Sequence, residues 1–578
     1  MRCTAIVAIN SVAPSETPSL AAASSLSPAA TPNSSFSNTS PTAYIVGGGV
    51  AGLLTAQSLL EDMENQSTPW SQVVIIERAD QLGTGLTQGN GRSLTATEGL
   101  VAAGVKPDEL ERSLATPLDQ GGYAYPGFIP TAADQAQMDR YTAGLRTVES
   151  EIYHRDLSLV RFGLANLTQW QHWAKQYPSL AAASGFYLSE KLRIYGGPNA
   201  LRRGIGEVYH LNVAGANCGW SKPPGRLVNY EDALGFDPAM ETYLSSRRRE
   251  DGQFDGALTL QPGGAIHVGR LVEQLTQWLL GTNRVSLCIN TQVRDIQWRS
   301  PTAGLKRTIT GLTVETFDDQ SSSVKALGTA EDCYVFATGF DDLLHRSGAI
   351  AAPLFPVAGT SITLVLPADL PDTSGNSFPQ RAWKQDILGP LVFSPTFDTV
   401  LERWILRIGG FKFYPGAHNQ PPLDFNHPGV KWAIAQQVQQ AIAFMPKVMD
   451  QLFGKELSKE LSQELDKNTG KNTGEIFPDP PLNWAELKNK INPWAGLRPL
   501  YADGMAALGP FASNGYTISG TGSWGLSSGV GNAVLIAQWL RGIPGDRLTL
   551  SGIPTPLLQD YLNRVNPLRF HEKTCGKN

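Results

Sequence analysis

The sequence predicts an α/β fold, on three observations. Near its start, a short apolar run is followed by three adjacent glycines and an apolar-faced segment, and a second apolar run then ends in an acid; this is the order of a β-α-β unit. Hydrophobic residues make up 41% of the chain against 17% charged, enough for a large buried core. The 58 Gly and 39 Pro among 578 residues exceed an ordinary combined share of about 12%, which points to tight turns and excludes a long helical bundle.

The first run, Ala43-Tyr44-Ile45-Val46, reads as a strand. Gly47-Gly48-Gly49-Val50-Ala51-Gly52 then fits G-x-G-x-x-G, and Leu53 to Leu60 continues as a helix. Gly47 is expected to make the turn, Gly49 to let backbone N–H groups approach a pyrophosphate at the helix N-terminus, and Gly52 to let the helix pack on the strand. The second run, Val73-Val74-Ile75-Ile76, ends in Glu77, which takes the place of the acid that bonds ribose hydroxyls. Glu77 lies 25 residues beyond Gly52, a spacing lengthened by the polar insert Glu61 to Gln72. Together these elements predict a Rossmann-like adenine-dinucleotide domain. They do not distinguish NAD from FAD. Beyond Glu77 the glycine-spaced polar loop Arg78 to Gly91 suits a wrap around a second cofactor region.

Composition removes several other classes. A net charge of −5 is too small to drive binding to nucleic acid. Cys3, Cys218, Cys288, Cys333 and Cys575 are odd in number and contain no C-x-x-C pair, which argues against a disulfide framework or a zinc site. There is no H-E-x-x-H and no G-x-S-x-G, so neither metal hydrolysis nor a nucleophile elbow is expected, and no metal. Residues 1–41 are rich in Ser, Ala, Thr and Pro and read as a disordered tail, with organelle targeting the less favoured alternative. No run of about 20 apolar residues suggests a membrane span. Lys455 to Gly474 mixes both charge signs around a repeated N-T-G and reads as a solvated helix and loop.

Four further segments carry a family resemblance. The first is the loop containing Thr87 and Asn90-Gly91-Arg92. The second runs from Gly263-Gly264-Ala265 through Val272 to Val293-Arg294-Asp295-Ile296. The third is Cys333 to Gly339, leading into Pro353 to Thr363, with Arg407-Ile408-Gly409-Gly410 beyond it. The fourth is Trp494 to Gly504, Gly509-Pro510 and Gly520 to Gly529. In this order the segments resemble the FAD-dependent D-amino-acid oxidase superfamily, and within it the bacterial D-amino-acid dehydrogenase branch. Two departures stand out. Arg92 replaces the last glycine of an Asn-Ala-Gly-like turn, and Gly520-Thr521-Gly522 replaces Gly-His-Gly.

The resemblance implies FAD as cofactor. It implies cofactor contacts from Gly47, Gly48, Gly49, Val50, Ala51, Gly52, Glu77, Arg78, Thr87, Asn90, Val293, Gly339, Gly522, Ser523, Trp524, Gly525 and Leu526, and it makes Arg498 the substrate-facing guanidinium. The interleaving implies a tail (1–41), a discontinuous FAD-binding domain (42–105, 255–345 and 490–545), a discontinuous α+β substrate domain with an antiparallel sheet (106–254 and 346–489), and a C-terminal extension (546–578). The implied reaction is oxidation of the C–N bond of an amino acid or related amine. Alternatives that stay open are oxidation of a 2-hydroxy acid, or flavin binding without oxidation. The electron acceptor, oxygen or a quinone, is undetermined. The expected location is the cytoplasm, with peripheral membrane contact open.

Overall fold

The computed structural model describes residues 41–64, 70–97, 116, 124–125, 128–146, 149–196, 199–250, 254–299, 306–318, 321–351, 354–367, 380–386, 391–417, 423–455, 458 and 484–569. The tail, most of Lys455 to Gly474 and the end of the chain lie outside them.

The β-branched runs form a parallel sheet. Its centre is β1 (Thr42–Val46), flanked by β2 (Gln72–Ile76) and β11 (Cys333–Gly339). β7 (Val285–Cys288) extends it beyond β2. On the other side lies β18 (Gly515–Ser519), with β17 (Ala507–Pro510) antiparallel at the edge. Ala43, Ile45, Val73, Ile75 and Val335 are fully buried, as strands covered on both faces require. Helix α1 (Val50–Glu64) returns from β1 across this sheet and packs against α4 (Gly529–Leu540). A side chain at Gly529 would lie 2.9 Å from Leu54 Cδ1, so the glycine sets the closeness of the two helices.

A small antiparallel sheet of β8 (Thr291–Arg299), β9 (Thr308–Asp318) and β10 (Ser321–Leu327) follows β7. The larger, mainly antiparallel sheet runs in the order β16 (Trp494–Leu500), β12 (Phe355–Val365), β15 (Arg403–Phe413), β14 (Leu391–Asp398), β13 (Trp383–Asp386), β4 (Tyr187–Tyr195), β6 (Ala257–Ala265) and β3 (Ser93–Thr95). β5 (Arg226–Val228) also pairs with β6. Helix α3 (Pro428–Phe444) covers one face, where Ile362, Trp383, Phe393, Ile408 and Val438 form a second core. Each fully buried aliphatic side chain there contributes roughly 1.5–3 kcal/mol.

Sheet membership departs from the bounds expected for the FAD-binding domain. β3, β6 and β16 fall inside 42–105, 255–345 and 490–545, yet all three pair in the larger sheet. The chain crosses between the two sheets at these strands, so they connect the layers. Gly263-Gly264-Ala265 is the end of β6, and α2 (Val268–Gly281) starts after His267. Residues beyond 545 are held by the main unit: Tyr561 stacks on Phe162 at 3.8 Å, and Arg569 Nε lies 2.6 Å from Asp503 Oδ2. Asp503 is therefore a pairing residue.

Candidate active site

The turn between β1 and α1 has no room for side chains. Gly47 adopts φ +110°, and a Cβ there would meet the Ala337 carbonyl oxygen at 2.3 Å; at Gly52 it would meet the Gly47 carbonyl oxygen at 2.0 Å. Gly48 N–H donates to Glu77 Oε2 at 2.7 Å, and Ala79 N–H donates to Oε1 at 3.0 Å. The acid at the end of β2 thus braces the turn. Thr87 Oγ1 accepts the Val50 N–H at 3.0 Å, so the following loop closes over the helix N-terminus. That end carries partial positive charge and suits a phosphate.

A cleft of about 400 Å³ runs along this turn. Of the residues singled out in the sequence, Gly47, Gly49, Val50, Ala51, Glu77, Arg78, Thr87, Asn90, Gly339, Gly522, Gly525 and Leu526 line it. A recess of about 60 Å³ at its Glu77 end is lined by Val293. Gly48 and Gly52 shape the turn from behind. The Trp524 side chain does not line the cleft. It is 4% exposed, sits edge-on to Phe162 and donates its indole N–H to Thr95 O at 3.2 Å. The large apolar ring is turned into the core, while its small neighbours face the cleft.

Ser523 and Arg498 line an adjoining cavity of about 90 Å³, which shares Leu86, Asn90, Trp494 and Gly522 with the main cleft. The Arg498 guanidinium lies over Gly359, where a Cβ would come within 2.3 Å of Cζ, and Arg498 Nη1 donates to Ala358 O at 3.3 Å. Lys412 and Thr360 line the same cavity. Nothing in the sequence singled out Lys412, because it reaches the site only through the pairing of β12 with β15.

The loop between the two cavities is held from below. Arg407, buried in β15, donates to Gln88 O at 2.9 Å and to Thr363 Oγ1, and Ser361 Oγ donates to Gly89 O at 3.3 Å. Burial, reinforced by nearby Arg92, pushes the Arg407 pKa well down. Arg92 stands at φ 59°, in the left-handed region, and its N–H is accepted by Asn90 Oδ1 at 2.8 Å. The turn therefore forms without the glycine of the family pattern. Burial lowers the Arg92 pKa to about 10 against the pull of Asp398.

These residues fit a bound dinucleotide. The glycine cradle leaves space that side chains would fill, and the buried Thr338 hydroxyl, in both the cleft and its recess, has no protein partner. Among the described residues no cluster of His, Cys, Asp or Glu has the form of a metal site, and no helix is long and apolar enough to cross a membrane.

The family model described as FAD dependent oxidoreductase matches residues 43–539. No curated protein matches the chain. Among solved structures, glycine oxidase from Geobacillus kaustophilus is similar with a TM-score of 0.52 at 14% identity, over 92% of this chain and 99% of that one. Glycine oxidase from Bacillus cereus gives 0.47 at 14%, over 87% and 96%. L-proline dehydrogenase from P. horikoshii gives 0.49 at 13%, over 92% and 98%. At such identities the likeness speaks to the fold alone. The family match covers all three sheets and the cleft, and the chain belongs to the FAD-dependent oxidoreductases of that family.

Proposed function

We propose that this FAD-dependent oxidoreductase oxidises the C–N bond of an amino acid or related amine, as in the dehydrogenase branch its sequence resembles, with oxygen or a quinone as final electron acceptor. The carrying observation is the position of Arg498, in a small cavity that opens on the main cleft beside Gly522. A guanidinium there pairs bidentately with a carboxylate and stays charged at any working pH. It orients the substrate so that the Cα–H bond meets the cofactor.

When bound, FAD supplies the two-electron acceptor that takes a hydride from the substrate carbon. The amine, entering neutral, also gives up one N–H proton, and the resulting imine adds water to yield an oxo acid and ammonia. Among the described residues, no carboxylate and no imidazole lines the small cavity. That favours an amine over a 2-hydroxy acid, whose hydroxyl proton needs a general base. Trp494 walls the cavity on the β16 side.

The test compares Arg498→Ala and Arg498→Lys with the parent enzyme, using an amino acid and its methyl ester. Arg498→Ala is expected to raise KM for the free acid by roughly 10- to 100-fold, the worth of a charged hydrogen-bonded pair, and to affect the ester much less. Arg498→Lys recovers part of the loss. Equal losses on acid and ester would remove Arg498 from carboxylate recognition.

A further inference from the structure

The cavity beside Arg498 holds more anion-binding capacity than one carboxylate uses. In the register of the larger sheet, Lys412 of β15 lies opposite Gly359 of β12, and Gly359 lies opposite Gly496 of β16. Residues paired across strands share a face, and Arg498, two positions beyond Gly496, shares it too. The missing side chain at Gly359 leaves the space over which the guanidinium lies. Two cations from strands on either side of β12 therefore line one cavity of about 90 Å³, with no carboxylate lining it among the described residues.

One hydroxyl completes the set. Ser523 lines this cavity, and its oxygen is buried without a hydrogen-bond partner. Buried hydroxyls are rarely left unsatisfied, because the lost hydration costs about 1–3 kcal/mol. An occupant that accepts hydrogen bonds removes that cost.

We propose that the substrate is a dicarboxylic amine, an acidic amino acid or an imino diacid, with Arg498 receiving the carboxylate next to the reacting carbon and Lys412, assisted by Ser523, receiving the second. The inference rests on the amine-oxidation reading of the same site and names its substrate class.

Two measurements on the FAD-loaded protein separate the inference from that reading. The first is binding without chemistry: succinate and glutarate against butyrate, followed by the shift they cause in the visible flavin band. Dicarboxylates are expected to bind at least ~10-fold more tightly. The second is anaerobic flavin reduction by both enantiomers of aspartate and glutamate and by iminodiacetate, against glycine and both enantiomers of alanine and 2-aminobutyrate. Dicarboxylates are expected to reduce the flavin at least ~10-fold faster at equal concentration, with Lys412→Gln shrinking the ratio toward one and Lys412→Glu shifting preference toward basic amino acids. Lys412→Arg retains the preference, which shows that charge and not packing is responsible. Equal binding of succinate and butyrate, or a ratio that survives Lys412→Gln, overturns the proposal even if monocarboxylic amines react well. Tight succinate binding without reduction by any amine instead overturns the amine-oxidation reading and leaves a dianion site.

Discussion

The Glu77 carboxylate accepts the Gly48 N–H at 2.7 Å and the Ala79 N–H at 3.0 Å, so one side chain ties the glycine turn to the end of β2. Its backbone is fixed as well, by Glu77 N–H to Cys288 O at 2.8 Å and Thr291 N–H to Glu77 O at 2.9 Å. Glu77→Ala removes a charged acceptor from two part-buried donors and is expected to weaken FAD binding by roughly 10- to 100-fold and to lower the melting temperature of the apoprotein. Reconstitution titrations and thermal melts read both. An apoprotein melt unchanged by the substitution contradicts the bracing role.

Gly52 is the tightest position of the turn, where an added Cβ would stand 2.0 Å from the Gly47 carbonyl oxygen. Gly52→Ala forces the turn open at a cost of about 1–3 kcal/mol and is expected to abolish FAD retention through purification. Gly235, on a short helix with nothing within 4 Å of its Cβ position, serves as the control. Gly235→Ala is expected to be neutral or to stabilise by up to about 1 kcal/mol. A Gly52→Ala protein that is yellow and as stable as its parent would refute the steric argument.

His267 caps α2, its Nδ1 accepting the Arg270 N–H at 3.1 Å, with Asp398 Oδ2 3.7 Å from Nε2. Burial, and then the neighbouring Arg92, pushes its pKa down to about 3. The folded value lies below the unfolded one of about 6.5, so as pH falls the unfolded chain takes up the proton first. Stability is complete above that value and declines as pH drops toward about 3. The loss is about 2 kcal/mol by pH ~5. His267→Asn, which keeps a capping acceptor, is expected to flatten this decline. Denaturant midpoints at pH ~7.5 and pH ~5 for the two proteins decide it, and parallel declines would show that His267 does not titrate as described.

Much of the dinucleotide half is readable in the sequence, because its logic is local. The Gly47 to Gly52 spacing, the β-branched runs on either side and the acid at Glu77 each answer to backbone geometry within a few tens of residues. The turn at Arg92 shows the limit of motif reading. A glycine is absent there, yet Asn90 supplies the acceptor that holds Arg92 at φ 59°. Trp524 shows another limit: a glycine-rich loop announces a close approach, but not which of its side chains turns to the core.

Lys412 was beyond reach for a different reason. It comes to the cavity through the register of β15 and β12 against β16, strands far apart in sequence. No spacing rule connects it to Arg498, whose own role was carried mainly by resemblance.

The most direct test of the amine-oxidation account is a stoichiometry. The FAD-loaded protein is mixed anaerobically with an acidic amino acid, and ammonia and oxo acid are counted against flavin reduced. One ammonia and one oxo acid per flavin is the expected result. Reduction by the corresponding 2-hydroxy acid in place of the amine, or reduction by the amine without release of ammonia, would contradict it.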